Sequence, residues 1–191
     1  MWGYCNYIDI IYLFFMVGFP IVINIDDKAV ETYNNDRSMI EIPRDSVVNP
    51  LINMDFSEGY NQMFIVFDFA DLYTELNALP PNICKRRVLY CTNNEVLQEF
   101  KNNFNLEISG GDMATVTTQF LCFKNKELVF YGDLDISSNS VGIQSSIYGW
   151  ARIVNKNEII EIVSRFKPYR GIVLNLNDII SKLLLSAKTY V

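Results

Sequence analysis

The chain has 191 residues, half of them hydrophobic and 14% aromatic, which is enough apolar mass for one domain with a sizeable core and too much for a disordered chain. It contains no histidine, which excludes Ser-His-Asp and Cys-His nucleophilic sites, His-ligated zinc and imidazole pH switching. The net charge of −6 is uneven: residues 1–76 carry 12 Asp/Glu against 3 Lys/Arg, a balance of −9, and residues 77–191 carry 10 against 13, a balance of +3.

Residues 8–25, IDIIYLFFMVGFPIVINI, reach the length of a membrane span, but Asp9 lies inside the run and Pro20 interrupts it. No Lys or Arg precedes Lys28, so the basic flank of a signal peptide or positive-inside anchor is missing. Gly18 and Pro20 split the run into a helix or strand over residues 7–17 and a β-branched strand, PIVINID. Both are expected to belong to a soluble core. Asp26 caps a short helix in DDKAVETYNND, RSMIEIP reads as a strand closed by Pro43, and residues 44–62 read as irregular or as a short helix broken at Pro50.

A clear alternation follows. MFIVFDF (63–69) is a strand, ADLYTELNAL a helix stopped by Pro80 and Pro81, and KRRVLYCT (85–92) a strand. NNEVLQEFKNNF is an amphipathic helix with Val96, Leu97, Phe100 and Phe104 on one face, capped by Asn93 or Asn94, and LEIS is a short strand before the turn GGD. This β-α-β-α-β order predicts a parallel sheet with covering helices. TVTTQFLCF and ELVFYGDL then flank KNK as a hairpin, and SVGIQSSIYGWARIV reads as a strand or strand pair bent at Gly142 or Gly149. NKNEIIEIVSRF is a helix with Ile159, Ile160 and Val163 inward, YRGIVLNL a strand, and NDIISKLLLSAKTY a terminal helix capped by Asn177 or Asp178. The expected architecture is a single α/β domain over residues 1–191, a central mixed sheet under four to five helices, with mixed α+β as the alternative.

Cys5, Cys84, Cys91 and Cys122 form no C-x-x-C pair, so buried thiols in a reducing cytosol are expected. The basic cluster KRR (85–87) opens an apolar strand, and without a basic stripe nucleic-acid binding is not expected. The glycines of SGGDMAT lack phosphate-loop spacing and read as a turn. In GIQSSIYGWAR (142–152), Tyr148, Trp150 and Arg152 alternate along a possible strand and offer an aromatic-polar contact surface.

Two functional readings follow. The first is an acidic protein-binding inhibitor, an immunity-type protein that occludes the cationic site of a basic, nuclease-like toxin in the cytoplasm. Its contact residues would be Asp26, Asp27, Glu31, Asp36, Glu41, Asp45, Asp55 and Glu58, which steer the partner electrostatically and then cover it. It requires no cofactor.

The second starts from strand ends. FIVFDFADL places Asp68 at a strand end and Asp71 beyond it, VLYCTNN places Thr92 at the next, and VFYGDLDIS places Asp133 and Asp135 at a later one. This set resembles the haloacid-dehalogenase phosphatase superfamily. The resemblance implies Asp68 as nucleophile, Thr92 as phosphate-binding hydroxyl, Lys124 or Lys126 as the lysine, and Asp68 with Asp133 as Mg²⁺ ligands of a phosphoryl hydrolase. It covers about residues 63–136 and departs from the pattern at Ala70, where the second Asp would stand, and in the hairpin setting of its lysines.

Overall fold

The computed structural model describes residues 23–24, 42–67, 79–84, 86–110, 118–169 and 173–174. The chain divides into two compact units. In the unit formed by residues 1–27 and 170–191, strands β1 (Ile23–Asn24) and β11 (Val173–Leu174) pair in parallel. The helices expected at residues 26–35, 70–79 and 177–190, and most of the apolar stretch 8–25, lie outside the described residues. Among the described residues, no helix is long and apolar enough to cross a membrane.

The unit of residues 28–169 is built on one nine-stranded sheet. Its strands are β2 (Val47–Val48), β3 (Asn61–Val66), β4 (Val88–Cys91), β5 (Leu106–Ile108), β6 (Gln119–Lys124), β7 (Glu127–Ile136), β8 (Val141–Ser145), β9 (Gly149–Ile153) and β10 (Lys167–Pro168). Their spatial order is β10-β4-β3-β6-β7-β8-β9-β5-β2, and every neighbouring pair is antiparallel. Among the described residues there are two helices, α1 (Asn94–Asn103) and α2 (Lys156–Ser164).

This overturns the α/β expectation of a sheet under four to five helices. The near-continuous apolar runs do report burial on both faces: Met63 and Ile65 on one face of β3 and Phe64 and Val66 on the other are all buried. Burial on both faces is common in parallel sheets, but it carries no information on strand direction. Here β3 and β4 lie side by side and run oppositely, while α1 carries the chain from β4, near one edge, to β5, near the other.

From β6 to β9 the sheet is a meander. Asn125 and Lys126 both take positive φ, 52° and 73°, as a two-residue type I′ hairpin turn requires, so KNK is the turn expected. A bulge follows: Cys122 faces Phe130 and Phe123 faces Leu128, which leaves Val129 without an opposite residue. Both outermost strands, β10 and β2, are two residues long, which limits the exposed edge.

The two helices share one face of the sheet. Asn93 caps α1, accepting from the Glu95 and Val96 N–H groups at 2.9 and 3.2 Å. Leu97 and Phe100 point inward from α1. Phe104 caps its C-terminus and packs edge-on to Phe130 at 5.5 Å. The Phe100 ring stacks on Phe120 at 5.2 Å and meets Phe166 at 6.2 Å. From α2, Ile159, Ile162 and Val163 are buried; Ile160 is only half-buried, and Ile162 takes the inward place assigned to it. Asn155, which precedes α2, makes no side-chain cap and instead reaches Asn103 of α1 at 3.4 Å. Each buried aromatic ring contributes about 1.5–3 kcal/mol by leaving water, so this cluster outweighs every single polar contact in the unit.

The irregular segment expected at residues 44–62 contains β2 and a loop strapped to α1. The Asn49 Nδ2 donates to the Lys101 carbonyl at 2.7 Å, satisfying an open helix-end acceptor, and Lys101 Nζ donates to the Met54 carbonyl at 3.0 Å. Leu51 and Phe56, both fully buried, anchor the loop in the core.

Candidate functional site

Residues paired across an antiparallel ladder point to the same face of the sheet. On β5, β7, β8 and β9 the residues Leu106, Ile108, Leu134, Ile136, Ile143, Ala151 and Ile153 take the helix-covered face. Two rows therefore occupy the opposite face. One runs Asp135, Gly142, Arg152, Glu107, Val47; the other runs Gln119, Asp133, Gln144, Trp150. Tyr131 stands beside Asp133 on the same face and its hydroxyl donates to the carboxylate at 3.3 Å.

Gly142 is the position that shapes this face. A Cβ there would lie 2.4 Å from Cη2 and Cζ2 of Trp150 and 2.9 Å from the Ala151 carbonyl. The indole thus leans across β8 into space that only glycine leaves open. Beside it, Arg152 donates through Nη2 and Nε to the same Glu107 oxygen, at 2.5 and 3.1 Å. The hydrogen bond and charge of Glu107, with the more distant Asp45, hold the Arg152 pKa above its usual value. Toward the β7–β8 turn, the Ser140 hydroxyl donates to Asp135, and Lys156 Nζ donates to the Ser138 carbonyl at 3.0 Å. Burial lifts the Asp133 carboxyl above the usual range, against the lowering effect of the Tyr131 hydroxyl.

The expected contact residue Tyr148 does not join this face. Gly149 takes φ 63° where β9 begins, and Tyr148, in the turn before it, packs against the helix-side core. Trp150 and Arg152 do share the face, as their alternation predicts.

Of the eight acids expected to contact a basic partner, Asp26, Asp27, Glu31, Asp36 and Glu41 lie outside the described residues. Asp45 is exposed, at φ 63°, in the turn before edge strand β2. Asp55 and Glu58 are exposed on the loop before β3, third from the other edge, so they do not adjoin Asp45 along the sheet. The Ser57 N–H, at 2.9 Å, lowers the Asp55 pKa, helped by the Ser57 hydroxyl and the charges of Lys124 and Lys101.

The phosphatase-like set is split by the antiparallel order. Thr92 follows Cys91, which pairs with Met63 near the start of β3, whereas the end of β3 at Val66 pairs with Val88. Lys124 pairs with Asn61 at that same starting end, and Lys126 sits in the adjoining turn. Asp133 lies six residues along β7 from Glu127, which pairs with Lys124, a separation of about 20 Å at the usual strand rise. Asp133 and Asp135 therefore do not meet Thr92 or either lysine, while Asp68 and Asp71 lie outside the described residues. Among the described residues, no group of three or more Cys, Asp or Glu is gathered to hold a metal ion.

Sequence reasoning missed Glu107, Ser140 and Lys156. Glu107 and Lys156 acquire their places through neighbours distant in sequence, and Ser140 through the tight β7–β8 turn, where it bonds Ser137 and Asp135. Cys84, Cys91 and Cys122 are free thiols; burial raises the pKa of Cys91 and, more strongly, of Cys122, which makes them poor nucleophiles. No protein-family model, curated protein or solved structure matches the chain.

Proposed function

We propose that the chain acts by binding a basic protein, as an immunity-type inhibitor that covers the cationic site of a nuclease-like toxin in the cytoplasm. The observation that carries this reading is the balance of −9 over residues 1–76 in a chain without histidine. Such a field attracts a cationic partner and repels nucleic acid and anionic membrane. The exposure of Asp45, Asp55 and Glu58 supports it, since each is available to a partner, and Asp55 is held in its charged form by Ser57.

The test is affinity capture from host lysate on the immobilised chain at low salt, with elution by a salt step. A basic protein released by salt, and not retained by a variant carrying Asn or Gln at all eight acids, supports the reading. Retention of the same protein by that variant, or no salt-eluted protein at all, overturns it.

A further inference from the structure

Where β8 begins and β9 ends, there is a cleft of about 700 Å³, within the size range of small-molecule sites. Trp150, Arg152, Glu107, Lys156, Asn139 and Ser140 are among the residues that line it. We propose that this cleft binds a small phosphorylated aromatic ligand of nucleoside-monophosphate size. The inference is independent of the inhibitor reading.

Three features combine. The indole is seated over Gly142, so its ring is fixed by the sheet and lines the cleft as a platform for a planar ring. The charges are unequally matched. Arg152 neutralises Glu107, and its Nη1 makes no hydrogen bond there. Lys156 meets only the Ser138 carbonyl and has no ion-pair partner among the described residues, which leaves one uncompensated ammonium in the cleft. The Asn139 amide lies beside it in the lining. Finally, the platform and the ammonium belong to one cleft: Trp150 and Lys156 both line it, and its volume admits a ring joined through a sugar to a phosphate. Asp135 does not line the cleft; its carboxylate accepts a hydrogen bond from the Ser140 hydroxyl.

The test is titration of the full chain with adenosine 5′-monophosphate, followed by calorimetry and by tryptophan emission, Trp150 being one of two tryptophans. Adenosine and ribose 5-phosphate supply the ring and the anion separately. Saturable binding is expected, weaker by about tenfold or more for either half alone, and weakened about tenfold by Lys156→Ala. Trp150→Leu should remove the adenosine contribution and leave that of ribose 5-phosphate. Thermal melts of both variants establish that they remain folded, and Lys156→Gln serves as a second probe of the ammonium. Absence of saturable binding by the wild-type chain, or an affinity unchanged in Lys156→Ala and Lys156→Gln, overturns the proposal.

Discussion

The two faces of the nine-stranded sheet are made by the same strands and do different things. Toward the helices, Phe100, Phe104, Phe120, Phe130 and Phe166 form a packed aromatic layer, and among the described residues no charged side chain is buried with them. On the other face, from β7 to β2, the rows carry Asp133, Asp135, Gln144, Trp150, Arg152 and Glu107. The difference teaches that period-2 alternation, once the bulge at Val129 has reset it, divides an apolar core face from a polar face within single strands. Leu134 and Ile136 are buried in the helix-side core while Asp133 and Asp135, their neighbours, take the other face.

If that division is right, damage should scale with the face. Phe120→Ala, in the middle of the aromatic layer, should cost about 3–5 kcal/mol in denaturant unfolding, the largest single effect. A loss below about 1 kcal/mol would mean the layer is not packed as described. Gly142→Val acts on the other face by colliding with the indole and the Ala151 carbonyl. It should cost about 1–3 kcal/mol and shift Trp emission, and an unshifted spectrum would place the indole elsewhere. Asn93→Ala removes the α1 cap and should cost about 1 kcal/mol, with Asn93→Asp restoring most of it.

The half-buried Asp133 sharpens the comparison through pH. Its folded-state pKa is raised by burial, so the folded chain holds a proton there that the unfolded chain releases. Stability therefore falls as pH rises from the ordinary carboxylate value through the raised one. Asp133→Asn should flatten that part of the stability-pH profile, and an unchanged slope would show that the carboxyl is not desolvated. The smallest effect is expected from Arg152→Ala: the guanidinium is 68% exposed, so the melting temperature should be indistinguishable from wild type. A clear drop would mean the Arg152–Glu107 pair supports the sheet and does not merely decorate its face.

Local features of the fold were legible in the sequence. The KNK turn, the cap at Asn93 and the inward places of Leu97 and Phe100 on α1 and of Ile159 and Val163 on α2 all follow from residues within one element or its ends, whereas Val96 and Ile160, also expected inward, are half-buried. Strand direction was not. The run 63–92 reads as strand, helix, strand, which fits a parallel crossover, yet β3 and β4 pair antiparallel. Hydropathy reports which faces are buried and is silent on which way the chain returns. The site followed the same rule. Trp150 and Arg152 were legible because their alternation is local. Glu107 was not, because it reaches Arg152 only through the β5–β9 pairing, 45 residues away in sequence. Within the strand-end carboxylate set, Thr92 and Asp133 stand apart because β4 and β7 are not neighbours in the sheet, an order no local pattern marks, while Asp68 and Asp71 lie outside the described residues.

The strand order carries both the separation of the phosphatase-like residues and the assembly of the Trp150 face, so the most direct measurement is of cross-strand proximity in solution. Nuclear Overhauser effects between α-protons distinguish antiparallel neighbours, whose Cα atoms approach closely at non-hydrogen-bonded pairs. The account predicts such contacts between Phe64 and Tyr90 for β3 and β4, between Ile65 and Phe120 for β3 and β6, and between Ile108 and Ala151 for β5 and β9. A spectrum that instead pairs β4 with β5, or shows β3 and β4 side by side without antiparallel contacts, would contradict it.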